Sequence, residues 1–216
     1  MIKQKVIIYG AGGHGKVVCD ALEHNKEMEI VGFVDNDLSR SGERFFDHLI
    51  LGGQKSLPDI FASAASYAVV AVGDNEERAK VAKLLSEIGF RFITVIHPSA
   101  SISRGVEIGR GSVVFPGAVI NAGAIIGEHA IINSHATIEH DCRIGSFAHV
   151  ASGVHMGSSV VIGDYSLVGT GASIRLRTTI GAKATVGVGA VVVSEVEEGA
   201  VVVGNPAKKL TKSDQK

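Results

Sequence analysis

The sequence predicts two domains in series: a small parallel α/β sheet, then an all-β parallel helix built of short strands. Two patterns carry this. From Ile102 to Val192 every sixth residue is aliphatic, sixteen positions in one unbroken phase, which is the hexapeptide register of a parallel β-helix. Ahead of that stretch, apolar runs of strand length alternate with segments of helical spacing, the pattern of a sheet with crossover helices. The expected domains are 1–98 and 99–206, joined around Ser99 to Gly105, with a polar, basic tail over 207–216 that is expected to fray.

Within the first domain, Val6-Ile7-Ile8-Tyr9, Glu29 to Val34 and Ala68 to Val72 read as buried strands, while Gly15 to His24 and Glu76 to Ile88 read as helices. In the second, a chain that turns a corner every six residues closes a triangular coil of about eighteen residues with its aliphatic side chains stacked down the axis. Five such coils, spaced about 4.8 Å apart, make a prism roughly 24 Å tall. Small residues such as Ala118, Ala124, Ala130 and Ala136 recur four places after the aliphatic ones, and glycine often follows them directly. Glycine is expected to supply positive φ at the corners.

A chain of 216 residues, 45% hydrophobic, can bury a sizeable core, and its net charge of −1 gives no electrostatic reason to bind nucleic acid or an acidic membrane surface. The apolar run before Gly10 is too short for a signal sequence or a membrane span, so a cytoplasmic location is expected. Cys19 and Cys142 stand alone, one per domain and in no CxxC spacing, and read as buried free thiols.

Gly10-Ala11-Gly12-Gly13-His14-Gly15 satisfies G-x-G-x-x-G between a strand and a helix, with Asp35 at the end of the next strand. Such a turn lets phosphate oxygens approach backbone N–H groups at a helix N-terminus, and an acid at the second strand tip can accept a ribose hydroxyl. A dinucleotide, any other nucleotide diphosphate, or a turn that only packs helix on sheet would each satisfy the motif. Gly73-Asp74-Asn75 falls at the same carboxyl edge, where helix capping by Asp74 or Asn75 competes with ligand contact. In the repeat, Glu139-His140-Asp141 flanks an imidazole with two carboxylates. An anionic neighbour can fix the tautomer a general base needs. Strand alternation directs both acids away from the ring, but Asp141 falls at a corner from which it can reach back. Asn133 and His149 add polar groups nearby, with exposed decoration as the alternative for each.

Taken together, Gly10 to Gly15, Phe33-Val34-Asp35, Val72-Gly73-Asp74-Asn75, Ile96-His97-Pro98, Asn133 with Ile138-Glu139-His140-Asp141, and Val203-Gly204-Asn205-Pro206-Ala207-Lys208 span nearly the whole chain. The combination resembles the sugar acyltransferases of the sialic acid O-acetyltransferase and bacillosamine N-acetyltransferase type. The resemblance implies a small Rossmann-like sheet followed by a left-handed β-helix, a homotrimer, acetyl-CoA in the groove between adjacent β-helices, and a nucleotide-linked amino sugar on the N-terminal domain. By the same resemblance, His140 is the general base, Glu139 or Asp141 orients it, and Asn133 lies near the sugar. Gly12, Gly13, His14, Asp35, Asn36 and Gly73 would hold the nucleotide, and His149, Gly157, Ser158 and Lys208 would meet the coenzyme. Ile174-Arg175-Leu176-Arg177 replaces the Pro-Gly or Pro-Asn corner of many relatives, and Arg175 there is a further candidate for coenzyme phosphate.

No metal is required, since a thioester is already activated. The expected activity is N-acetylation of the 4-amino group of a nucleotide-linked 4-amino-4,6-dideoxysugar for surface polysaccharide. O-acetylation of sialic acid or another sugar is the alternative. A more distant reading compares His135 and His140 with the zinc ligands of trimeric γ-type carbonic anhydrases, and a third is a non-catalytic nucleotide-sugar sensor.

Overall fold

A computed structural model describes residues 3–210 and divides the chain into two compact units that meet between Pro98 and Ser99. The first holds β1 (Gln4–Tyr9), α1 (Gly13–Glu23), β2 (Met28–Val34), the hairpin β3 (Arg44–Phe45) and β4 (His48–Leu49), α2 (Leu57–Ser63), β5 (Tyr67–Val70), α3 (Asn75–Ile88) and β6 (Arg91–Phe92). Its main sheet has the order β2-β1-β5-β6 with every pairing parallel. Val6, Ile7 and Ile8 of β1 are fully buried, as expected of a strand covered on both faces. The short helix α2 and the β3–β4 hairpin were not expected from the sequence. Seven residues are too few for helical periodicity to stand out, although Pro58 in its first turn is a start signal.

In the second unit, two-residue strands recur every six residues from Ser101–Ile102 to Val191–Val192. As far as Ser173–Ile174, each pairs in parallel with the strand eighteen residues on, as in Val119↔Thr137, Thr137↔His155 and His155↔Ser173. Three parallel sheets result, and inward residues such as Ile120, Ile138, Val150 and Val168 are fully buried in one core, with Ile102 and Ile108 of the first coil partly buried against it. A buried aliphatic side chain contributes about 1.5–3 kcal/mol, so the core tolerates little interruption.

Three expectations need correction. The solenoid makes about six turns rather than five. Beyond Val192 the coil continues, but the repeat shortens: Ile180 bridges to Val196 and Val186 pairs with Val202, steps of sixteen residues that hide the last rung from a sixfold count. Second, glycine supplies positive φ at only seven of the fifteen corners from Gly105 to Gly189, and the glycines that directly follow the aliphatic residue are not among them. A Cβ on Gly145 would lie 2.5 Å from Asp164 N and 2.6 Å from Gly163 C, so close approach of the next coil requires glycine there. Positive φ falls two residues later, at every sixth position from Gly105 to Gly189, and eight of those corners are not glycine, among them His135, Asp141, Phe147 and Arg177.

Third, the start of the tail is held rather than frayed. Lys208–Lys209 pairs antiparallel with Val202–Val203, Ala207 N donates to Val191 O at 2.8 Å, and Lys209 Nζ reaches Glu197 Oε2 at 2.7 Å. The expectation for 211–216 lies outside the described residues. Both cysteines are buried free thiols. No described helix is long and apolar enough to cross a membrane.

Candidate active site

The carboxyl edge of the first sheet separates two kinds of glycine. Gly10 has φ +111°, and a Cβ on it would meet Ala71 O at 2.6 Å; one on Gly15 would collide with Gly10 O. The turn and the packing of α1 require these two. A Cβ on Gly12, Gly13 or Gly73 would meet nothing within 4 Å, so the fold has no steric need for glycine at these three positions. Bare backbone there leaves the N-terminus of α1 and the loop after β5 uncovered. Gly12 is the N-cap of α1 and brings no side-chain cap, which leaves helix N–H groups directed outward, the arrangement that receives phosphate.

Asp35 fastens this loop. Its Oδ2 accepts from Ala11 N at 2.7 Å and its Oδ1 from Asp37 N at 2.9 Å, so one lone pair on each oxygen is already used, with room left for a ribose hydroxyl. Asn36 Oδ1 accepts from the Tyr9 hydroxyl at 2.8 Å. Burial, more than any neighbouring charge, pushes the Tyr9 phenol above its ordinary value, so it remains a donor at neutral pH. His14 sits partly buried in the first turn of α1.

Asp74 is a helix cap: its side chain accepts from Glu77 N at 2.9 Å. Two arginines escaped the sequence reading. Arg40 donates to Ala11 O at 2.8 Å with its guanidinium 4.9 Å from the centre of the Phe45 ring. Arg78, 1% exposed, donates to Val72 O and Gly73 O at 2.9 and 3.0 Å and to Asn75 Oδ1 at 2.7 Å. Burial pulls its pKa down to about 10 against the opposing field of Asp74, so it is still charged at neutral pH. It fixes the loop that carries Gly73.

In the solenoid, Glu139-His140-Asp141 follows the strand Thr137–Ile138 and turns the corner. Asp141 has φ +61°, and this left-handed turn brings its Oδ2 to 2.7 Å from His140 Nδ1. A carboxylate can only accept, so Nδ1 carries the proton and Nε2 is the basic nitrogen of the neutral ring. The His140 side chain is 58% exposed, within reach of a substrate. Glu139 turns elsewhere: its Oε2 accepts from Asn121 Nδ2 at 2.9 Å, and Asn121 lies one coil earlier. Of the two acids, Asp141 is therefore the one that orients the imidazole.

Asn133 and His149 form a second pair. Asn133 Oδ1 accepts from Ser134 N at 2.8 Å, and its Nδ2 lies 3.5 Å from His149 Nε2, at the outer limit of a hydrogen bond. They belong to the sheet of Ile131–Ile132 and His149–Val150, whereas His140 follows a strand of the next sheet. Ser158 occupies the place above His140, eighteen residues on, and His140 O accepts from Ser159 N at 3.0 Å. Gly157 has a packing reason of its own, since a Cβ there would lie 2.6 Å from Leu176 N. Arg175, Arg177 and Lys208 are exposed, with Arg177 at a positive-φ corner.

Comparison with known proteins agrees on both units. Residues 5–85 match the family model described as the PglD N-terminal domain. A UDP-N-acetylbacillosamine N-acetyltransferase from Bacillus subtilis (strain 168) is 32% identical over 110 residues, covering 49% of this chain and 48% of the relative. The matched segment thus spans about half the length of that curated relative. Among solved structures, a histidine-to-asparagine variant of perosamine N-acetyltransferase from Caulobacter crescentus, in complex with CoA and GDP-perosamine, is 35% identical with a TM-score of 0.92 over 96% of this chain and 97% of that one. The acetyltransferase domain of PglB from Neisseria gonorrhoeae FA1090, in complex with acetyl coenzyme A, is 37% identical with a TM-score of 0.86 over 96% and 100%. A six-residue solenoid that follows a glycine-loop sheet in sequence, matched along nearly the full chain at such identity, places this chain in the left-handed β-helix sugar acyltransferase family of the bacillosamine and perosamine N-acetyltransferase type.

Proposed function

We propose that the protein transfers the acetyl group of acetyl-CoA to the 4-amino group of a nucleotide-linked 4-amino-4,6-dideoxysugar. The observation that carries the reading is the exposed His140 ring with its Nδ1 proton held by Asp141 at 2.7 Å. In the reaction the amine nitrogen adds to the thioester carbonyl carbon, the C–S bond breaks, and an amide and the free thiol form. His140 Nε2 takes the proton lost by the nitrogen and returns it to the departing sulfur. Asp141 stabilises the transient imidazolium and keeps the ring in the right tautomer. No step calls for a metal ion.

Gly12, Gly13 and Gly73 receive the nucleotide diphosphate, with Asp35 and Asn36 beside the ribose and His14 toward the sugar. Open space at those three glycines and the uncapped start of α1 support this. Asn133 lies near the sugar; His149, Gly157, Ser158, Arg175 and Lys208 meet the coenzyme. The protein works as a cytoplasmic homotrimer. The GDP-perosamine and CoA bound by the Caulobacter crescentus relative support the substrate class.

The test is a panel of UDP-, dTDP- and GDP-linked 4-amino sugars and sialic acid, each incubated with acetyl-CoA and the purified protein. Thiol release together with an N-acetylated product from at least one nucleotide sugar is expected. Turnover of sialic acid alone would contradict the reading.

A further inference from the structure

Away from the residues assigned to acetyl transfer, the first unit gathers a thiol, a carboxylate and an imidazole. Cys19 and Glu23 lie four residues apart on α1 and therefore share one face. His48 comes from β4. The Cys19 Sγ is 3.8 Å from Glu23 Oε1, His48 Nε2 is 3.1 Å from the same oxygen, and the three donor atoms all lie within 4.8 Å of one another. The hairpin that presents His48 is well supported: Arg44 Nη2 donates to Asp47 O at 2.9 Å, and the Phe45 ring packs edge-on against Phe33 with centroids 5.1 Å apart.

We propose that Cys19, Glu23 and His48 bind a divalent transition-metal ion of the zinc class, with solvent in the fourth position. In a tetrahedral zinc site with bonds of about 2.3 Å to sulfur and 2.0–2.2 Å to nitrogen and oxygen, a sulfur and an oxygen ligand stand about 3.6 Å apart, and a nitrogen and an oxygen about 3.4 Å. The separations of 3.8 and 3.1 Å lie within a few tenths of an ångström of those values. As a thiol–carboxylate hydrogen bond the longer contact is weak; as the spacing of two ligands on one ion it is ordinary. Burial first, and then the carboxylates of Glu23, Asp20 and Asp47, push the Cys19 thiol up to about 12, so without a cation the sulfur keeps its proton. On binding, the metal–sulfur bond replaces the S–H bond and the proton leaves to solvent.

Such an ion would tie the β3–β4 hairpin to α1, the helix whose first turn carries the glycine loop. Its role is structural, and it is independent of the acetyl-transfer reading. A second cluster in the same unit, Asp20, His24 and His97, offers no sulfur, and His24 Nδ1 already donates to Asp20 O at 2.9 Å. It serves as the internal control.

The experiment titrates the reduced, chelator-stripped full chain with Co2+ as a spectroscopic stand-in, followed by Zn2+. One equivalent of Co2+ should produce a thiolate-to-cobalt charge-transfer band that Zn2+ displaces, and Zn2+ should raise the thermal midpoint. Cys19→Ser and His48→Gln should each abolish the band and weaken Zn2+ binding at least about 10-fold, while His24→Gln and Cys142→Ser leave both unchanged. Absence of the band in the unmodified protein overturns the proposal whatever the variants do. So does a band that survives Cys19→Ser or His48→Gln, or one lost in Cys142→Ser.

Discussion

Replacing Asp141 with Asn removes one charge and almost nothing else. Asn tolerates the left-handed backbone that Asp141 adopts at φ +61°, and its amide oxygen can still accept from His140 Nδ1. The change therefore separates charge from geometry. Two unit charges about 4 Å apart interact by ~1 kcal/mol in water and ~4 kcal/mol at an effective dielectric of 20. With the side chains 58% and 65% exposed, water screens the free enzyme toward the lower figure, whereas bound substrates displace water and move the pair toward the higher. A loss of about 1.4–2.7 kcal/mol in the transition state follows, which is a fall of about 10- to 100-fold in kcat. Folding stability should change by less than about 1 kcal/mol, as for exposed ion pairs generally. Steady-state thiol release and urea unfolding measure the two quantities. An unchanged kcat would refute the assignment of Asp141 as the carboxylate that stabilises the imidazolium, and a fall as deep as that of His140→Ala would show that it does more than that.

Gly13→Val should weaken nucleotide-sugar binding at least about 10-fold by calorimetry and leave acetyl-CoA binding unchanged, since open space at that position rules out a packing role. Gly145→Ala should do the reverse, costing about 1–3 kcal/mol in urea unfolding because the added methyl meets the backbone of the next coil. Glu139→Gln should reduce kcat by less than about 5-fold, because the carboxylate is bonded to Asn121 and the amide can keep an oxygen there. Burial pushes the Cys142 thiol above its ordinary value, so the fold favours the protonated form. Its contribution to stability is full below the ordinary thiol range and is lost as pH rises through and beyond it; native protein at pH 8.5 should therefore resist alkylation at Cys142, and rapid modification would contradict this.

Much of the fold is legible because six residues per strand and eighteen per coil leave a rigid imprint on the chain. The imprint fades where the step shortens, and the sixteen-residue interval from Val186 to Val202 conceals the last turn. It also misleads about glycine. Close approach between coils and left-handed corners both select small or flexible residues, but they fall at different phases of the repeat, and non-glycine corners such as Tyr165 and Lys183 disguise the second. His140 with Asp141 is visible in one tripeptide, being neighbours in sequence. Asn121 beneath Glu139 is visible too, once eighteen is subtracted from the residue number. Arg40 and Arg78 are not, because they act on backbone carbonyls, and no side-chain pattern marks a carbonyl as a partner. Gly12 looks the same in the motif as Gly10 and Gly15, and Gly13 is a further glycine beside it; only the space around each shows which of them the fold needs.

The most direct measurement compares single-turnover acetyl transfer from acetyl-CoA to a nucleotide-linked 4-amino sugar by the unmodified protein and by His140→Ala, with coenzyme affinity measured on both. The account predicts a rate lower by about 10²- to 10⁴-fold in the variant with nearly unchanged affinity for acetyl-CoA. Equal rates in the two proteins would contradict it.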